Sequence, residues 1–470
     1  MTTTDLGIYN VTLSVYMVLI TIVSSSIPLT ISKITALNKS NNKSYATNYS
    51  VTSSLLLSIG LSVVLCVLIL LLKPLLLLIL GDHLGYEILI ALLPSIIFTA
   101  LYSQIRGYLW GLENYFGVSM VEFIEQIIRI VFCMLFVTLD LFPSPVISVG
   151  VALSIACGIS TIYGFILYFK NGGRIKFRQG YFKDIIKSSA PLTGVRLLSS
   201  VLQPLVSILL PIQLTKFGME KSMALSELGI VTGMSMPLLS IPSTIIGALC
   251  MVLVPRISGH EEDDSVSGQI DNYITFSMFC LFMFVPIFIT LGIPICSFVF
   301  DNVSAGIYLT YATWIIIPMG ISQITSSILN AFNKEQKSFI YFIFSNLIMV
   351  LIVLIFPKFI GIKAMVLGIG ISNLVLSILN LKEIKKITGY KSQIIKKITI
   401  QLLLNLPIIL ITKLTYNILD KCIGQFLSIA ISCIICVVSY IALLFVFGIL
   451  NFKSMKSIFS KIQKKSTQKA

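Results

Sequence analysis

The stretch that decides the fold is SQIRGYLWGLENYFGVSMVEFIEQIIR, Ser103–Arg129, which joins two apolar segments. It places five charged side chains at or inside a membrane: Arg106, Glu113, Glu122, Glu125 and Arg129. An ionisable group at the centre of a bilayer costs about 2.5–3.5 kcal/mol on insertion scales, so each of these residues is a functional-site candidate. On a helix, Glu122, Gln126 and Arg129 share one face, and Glu125 lies one turn before Arg129.

The composition around this stretch indicates a membrane protein. The chain has 470 residues, of which 56% are hydrophobic and 11% charged, and its mean hydropathy is +0.97. Soluble domains carry about 25% charged residues. The formal net charge of +15 does not indicate nucleic acid, because lysine and arginine are confined to certain loops, as membrane topology requires.

Polar or Pro/Gly breaks about every 30 residues predict an all-α polytopic fold. Thirteen segments are long enough for tilted transmembrane helices. They are 9–32, 51–80, 88–109, 117–139, 145–168, 187–214, 226–254, 272–299, 305–332, 338–356, 361–381, 396–417 and 424–449.

Alternate loops are basic, with roughly 25 cationic residues on one side against about 6 on the other, which predicts that the richer side is cytoplasmic. With thirteen spans, the amino terminus is then outside and the carboxyl terminus inside a cell membrane. The short polar start MTTTDLGIYN has nothing that would drive its export. We therefore expect that a first helix is missing from this chain; a true thirteen-helix protein is the alternative.

Short motifs that occur twice in the sequence predict two homologous halves. Ser103–Ile105 recurs as Ser322–Ile324 and Asn114 as Asn333, while IPLTIS at 27–32 resembles VPRIS at 254–258. Parallel repeats are common in transporters. The predicted parts are an N-lobe at 1–168, a basic linker at 169–186, a C-lobe at 187–381, a terminal helix pair at 382–450 and a basic cytoplasmic tail at 451–470. The tail fits either an amphipathic surface helix or a solvated segment.

Several of these motifs carry a family resemblance. Arg106-Gly-Tyr-Leu-Trp-Gly111 followed by EFIEQIIR at 122–129 resembles a run typical of the stage V sporulation protein B family. Further similar stretches are SIPLTISK at 26–33, the AP…VR pattern at 190–196 and GMSMPLLSIP at 233–242. That family belongs to the wider MOP group of multidrug, oligosaccharidyl-lipid and polysaccharide exporters. The resemblance implies a MATE-like fold of fourteen helices in two six-helix lobes plus a terminal pair, again one helix more than this chain has.

The resemblance implies flipping of a lipid-linked saccharide, such as the peptidoglycan precursor lipid II used for spore cortex or cell wall. An anionic diphosphate headgroup then needs cations along its path, and guanidinium groups match phosphate oxygens in pairs. The candidate substrate-binding residues are Arg196, Arg129, Arg106, Gln203, Lys33 and Arg256.

Each of these candidates has a second interpretation. Arg129 fits an internal salt bridge with Glu125 or Glu122, and Arg106 fits snorkelling at the membrane edge. Lys33 and Arg256 fit topology anchors. Glu122 and Glu125 fit either the salt bridge or the ion-coupling carboxylates of an antiporter. Aromatic residues nearby, Tyr102, Tyr108, Trp110 and Trp314, are predicted as interface anchors.

No phosphate-binding glycine loop, ATPase motif, catalytic triad or metal-ligand spacing is found in the sequence. We therefore predict a transporter, not an enzyme, with no cofactor, no metal site and no nucleic-acid partner, embedded in membrane lipid as a monomer. The alternatives are a cation-coupled multidrug antiporter of the same fold and an inactive truncated paralogue.

Overall fold

The protein is seen in a computed structural model that describes residues 2–24, 26–40, 44–177, 181–257, 265–332, 334–390 and 393–447. The described part is built from helices and their connections. They are α1 (Thr3–Ser24), α2 (Ile27–Ser40), α3 (Ser44–Leu71), α4 (Lys73–Leu80), α5 (His83–Gly111), α6 (Tyr115–Thr138), α7 (Pro145–Lys170), α8 (Tyr181–Lys216), α9 (Lys221–Gly229), α10 (Met236–Ile257), α11 (Ser265–Phe300), α12 (Val303–Ala312), α13 (Ile316–Ala331), α14 (Glu335–Ile355), α15 (Pro357–Ile360), α16 (Lys363–Thr388), α17 (Ile394–Ile423) and α18 (Gln425–Val446).

Helices occupy all thirteen predicted spans, and within the described residues twelve are long and apolar enough to cross a membrane. The thirteenth predicted span is α6, whose length of 24 residues suffices but whose middle carries Glu122, Glu125 and Arg129. With three charged residues in its middle, α6 is not among the twelve. The chain is therefore an all-α, multi-pass membrane protein.

Several predicted spans consist of more than one helix. The span 9–32 is divided between α1 and α2 shortly before Pro28, whose missing N–H suits the first turn of a new helix. The span 51–80 is divided at Leu72, directly before the Lys73-Pro74 start of α4. Between α9 and α10 the chain forms a π-helix, Ile230–Ser235.

The chain forms two compact units, Met1–Gly229 with Val353–Ile362 (unit 1) and Ile230–Ile352 with Lys363–Ala470 (unit 2). In unit 1, α8 packs on α1, α2 and α3, which groups it with the amino-terminal helices. The predicted lobes at 1–168 and 187–381 were based on sequence repeats, not on packing, and they remain a prediction. The basic tail at 451–470 lies outside the described residues.

In unit 1, α5 packs against α1, α2, α3 and α7. Its approach to α2 depends on glycine, because a Cβ on Gly107 would lie 2.4 Å from the carbonyl oxygen of Pro28. A similar crossing joins α1 to α9, where a Cβ on Gly7 would overlap the carbonyl oxygen of Leu225. Side chains larger than hydrogen would push these helices apart.

In unit 2, α11 packs against α10, α12, α13, α17 and α18. Polar contacts attach the last two helices to the rest. Lys397 on α17 contacts Asp271 on α11 at 2.6 Å, and the side-chain amide of Asn405 donates to the carbonyl oxygen of Phe282 at 3.1 Å. Asn405 is buried and its amide requires a partner, so this hydrogen bond fixes the register of α17 on α11.

Candidate functional site

The turn between α5 and α6 aligns the charged side chains of the quoted stretch. Glu113 adopts a left-handed backbone conformation with φ of 64°. Asn114 then caps α6, its side chain accepting a hydrogen bond of 3.0 Å from the backbone N–H of Gly117. This cap satisfies a free N–H group of the first turn. The chain thereby reverses, and α6 continues beside α5 and α7.

Arg106 lies on α5 facing α6. Its Nη1 contacts Oε1 of Glu122 at 3.5 Å, and the two side chains are 30% and 48% exposed. The guanidinium lies 4.9 Å from the ring centre of Trp110 and 6.0 Å from that of Tyr102, both on α5. The Nε atom is buried and has no hydrogen-bond partner in the described part of the chain. Arg106 is therefore incompletely satisfied.

A polar stripe runs along α6, formed by Glu122, Glu125, Gln126 and Arg129. Glu125 is half-buried and accepts a hydrogen bond of 3.3 Å from the hydroxyl of Ser160 on α7. Arg129 donates to the side-chain oxygen of Gln126. The stripe thus contacts α7 through Glu125.

Another stripe of α6 is apolar and exposed. Phe123, Ile127, Ile130 and Met134 are 59%, 45%, 56% and 67% exposed, respectively. In a membrane protein, such a surface faces lipid. The same helix therefore presents one surface to lipid and a separate polar stripe with charges of both signs.

The other candidates are more scattered. Arg196 is half-buried on α8, which packs against α1, α2 and α3. Lys33 is exposed on α2, which fits both a topology anchor and a substrate-binding residue. Gln203 lies on α8 and Arg256 on α10, but their side chains are not among the described ones. Of the candidates, the structure therefore brings Arg106 and Glu122 into contact.

Two sequence interpretations change here. The ion-pair partner of Glu122 is Arg106 on the neighbouring helix, not Arg129 on its own. Tyr102 and Tyr108 are each 5% exposed, so they are interior residues and not interface anchors. The spacing of Tyr102, Arg106 and Trp110 at intervals of four places them on one helix face, which the sequence could have revealed. Nothing in the sequence pointed to Ser160, 35 residues from Glu125.

Comparisons with known proteins give the family and the fold. The family model described as "Polysaccharide biosynthesis protein" matches residues 1–261. Stage V sporulation protein B of Bacillus subtilis (strain 168) is 30% identical over 183 residues, which cover 36% of this chain and 35% of that protein. Sporulation protein YkvU of the same organism is 24% identical over 181 residues, covering 36% of this chain and 40% of YkvU. The aligned part is thus well under half the length of these curated relatives.

Solved structures match over most of the chain. The lipid II flippase MurJ in an inward closed conformation has a TM-score of 0.69 at 16% identity and covers 95% of this chain and 96% of MurJ. An inward-facing multidrug resistance MATE family transporter of the MOP superfamily has a TM-score of 0.67 at 18% identity, covering 84% and 92%. At these identities the likeness shows the fold. The chain belongs to the polysaccharide biosynthesis protein family, and its fold is the MATE-like fold of the MOP exporters.

Proposed function

We propose that this protein flips a saccharide linked to an isoprenoid diphosphate, lipid II or a related polysaccharide intermediate, across the cytoplasmic membrane for spore cortex or cell-wall synthesis. Transport takes place by alternating access, without a catalytic step. The amino terminus of the chain is outside and the carboxyl terminus cytoplasmic. Ion or potential gradients, or use of the cargo on the far side, supply the energy.

The observation that carries this proposal is the position of Arg129. It lies 14 residues after the start of α6 at Tyr115, about 21 Å along the helix at 1.5 Å per residue. Its hydrogen-bond acceptor Gln126 is uncharged. A guanidinium held this deep on the polar stripe offers a phosphate a substitute for water.

The diphosphate explains why arginine suits this position. Each phosphate group carries negative charge that hydrocarbon cannot solvate, and its oxygens accept pairs of hydrogen bonds from one guanidinium. Arg106 and Arg129 lie at different depths on adjacent helices of unit 1. In this proposal they hold the headgroup successively as it crosses, and Arg196 on α8 adds a third cation.

The test measures flipping in vesicles. Arg106→Ala, Arg129→Ala and Arg196→Ala are compared with Arg174→Ala, which removes an exposed arginine outside the spans. The readout is the rate at which a labelled lipid-linked precursor becomes accessible to an impermeant reagent. Because charge-assisted hydrogen bonds contribute about 1.5–3 kcal/mol, each site variant should lose about tenfold to a hundredfold in rate. Rates equal to that of Arg174→Ala in all three variants would contradict the proposal.

A second candidate function is cation-coupled export of cationic drugs. Two carboxylates on the polar stripe, Glu122 and Glu125, favour it. In that case Glu125→Gln should abolish gradient-driven export of a cationic dye from vesicles. Loss of dye export with unchanged flipping of the lipid-linked precursor would replace the first proposal by this one.

A further inference from the structure

The contact between Arg106 and Glu122 uses only part of the guanidinium. Glu122 contacts Nη1 at 3.5 Å, a long distance for a charge-assisted hydrogen bond, which is ordinarily about 2.7–2.9 Å. On the other edge Nε is buried without a described partner. An unpaired buried N–H is unfavourable by about 1–3 kcal/mol. Arg106 therefore has hydrogen-bonding capacity that this arrangement leaves unused.

The guanidinium of Arg106 also lies over two aromatic rings. Trp110 at 4.9 Å and Tyr102 at 6.0 Å are within the range of cation–π attraction. Both rings lie on the helix that carries Arg106. They keep the cation near its present position whichever anion binds its edges.

Glu122, by contrast, is held loosely. Its side chain is 48% exposed, so the carboxylate has room to move away from Arg106. A diphosphate has more negative charge than a carboxylate and more oxygens with which to accept the guanidinium hydrogens. Exchange of Glu122 for phosphate therefore costs little and satisfies more of Arg106.

We propose that Glu122 is a built-in competitor for Arg106: it neutralises the guanidinium while the site is empty and is displaced by a phosphate group of the cargo. This inference rests on the proposed function and makes Glu122 a specificity-determining residue. It requires an arriving group to carry enough negative charge to replace a carboxylate. Removing the carboxylate should accordingly strengthen the binding of diphosphates.

The test uses the full chain in lipid nanodiscs and the probes farnesyl diphosphate and inorganic pyrophosphate. Trp110 is one of two tryptophans, so a Trp314→Phe background makes it the sole tryptophan reporter, beside Arg106. Glu122→Gln should lower the Kd for farnesyl diphosphate about two- to fivefold, the range expected for losing a partly exposed ion pair. The control Glu87→Gln, an exposed carboxylate on α5, should leave the Kd unchanged.

A second variant, Arg106→Lys, retains the charge but lacks the paired donors, and it should raise the Kd. Isothermal titration calorimetry on the chain with both tryptophans checks these values without the Trp314 substitution. Equal Kd values for Glu122→Gln and its parent would overturn the role of Glu122 and leave the flippase proposal standing. Absence of diphosphate binding in every variant would overturn both. Weaker binding of tetraphenylphosphonium in Glu122→Gln, with diphosphate binding unimproved, would overturn both in favour of cationic cargo.

Discussion

Two helical hairpins of this protein share a sequence signature but differ in polar chemistry. The predicted repeat pairs the α5–α6 hairpin of unit 1 with the α13–α14 hairpin of unit 2, at an offset of about 220 residues. Arg106 then corresponds to Thr325, and Glu122 to Tyr341. The first hairpin carries an ion pair where the second carries two neutral hydroxyl groups.

The α13–α14 hairpin is closely bonded to α16. Glu383 on α16 has a side chain that is 4% exposed, and it contacts Lys337 at 2.5 Å. It also accepts a hydrogen bond of 3.1 Å from the hydroxyl of Tyr341. Asn380 is fully buried and donates to the hydroxyls of Thr325 at 3.2 Å and Ser326 at 2.9 Å. Buried polar networks with several partners favour one arrangement. In the hairpin of unit 1, the Arg106–Glu122 ion pair is long and partly exposed, so this pair is less constrained than the contacts of Glu383.

The largest change in stability is expected for Gly107→Ala, which tests how closely the α5–α6 hairpin packs against α2. Gly107 in α5 corresponds to Ser326, and a Cβ there would lie 2.4 Å from the carbonyl oxygen and 2.8 Å from the Cα of Pro28. These are backbone atoms of α2, so Gly107→Ala should lower the free energy of unfolding by about 1–3 kcal/mol. The measurement is thermal unfolding in detergent.

Gly60→Ala is the matched control, because nothing lies within 4 Å of a Cβ at that position of α3. Alanine has the higher helix propensity, and this control should gain up to about 1 kcal/mol. If the two variants unfolded at the same temperature, the close approach of α5 to α2 would not be what distinguishes the hairpins.

The second prediction concerns the network of unit 2. Asn380→Ala removes the donor to Thr325 and Ser326, and at about 0.5–1.5 kcal/mol per hydrogen bond it should lower the free energy of unfolding by about 1–2 kcal/mol. Asn417→Ala on α17, an exposed asparagine, should change it by less than about 0.5 kcal/mol. A thermal shift of Asn380→Ala no larger than that of the control would show that this network adds nothing to stability.

The sequence predicted what depends on local composition. Apolar runs of about 20 residues identified the spans, and the charges within α6 distinguished it from the other spans. The break before Pro28 was missed, because α1 and α2 read as one apolar segment. The sequence also did not predict which side chains pair between different helices. Spacing on a single helix favoured Arg129 as the partner of Glu122, but Glu122 contacts Arg106, 16 residues away on α5.

The smallest expected effect on stability is that of Glu122→Gln. The Arg106–Glu122 contact is 3.5 Å long and its side chains are 30% and 48% exposed, so solvent screens it, and its removal should change the free energy of unfolding by less than about 0.5 kcal/mol. Glu383→Gln should lower the unfolding temperature more, because it weakens a buried acceptor with two partners. The same thermal unfolding experiment compares the two. If Glu122→Gln lowered the free energy of unfolding as much as Asn380→Ala, the ion pair of unit 1 would be a structural element. A cargo could not then displace the Glu122 carboxylate, because the fold would require it in place.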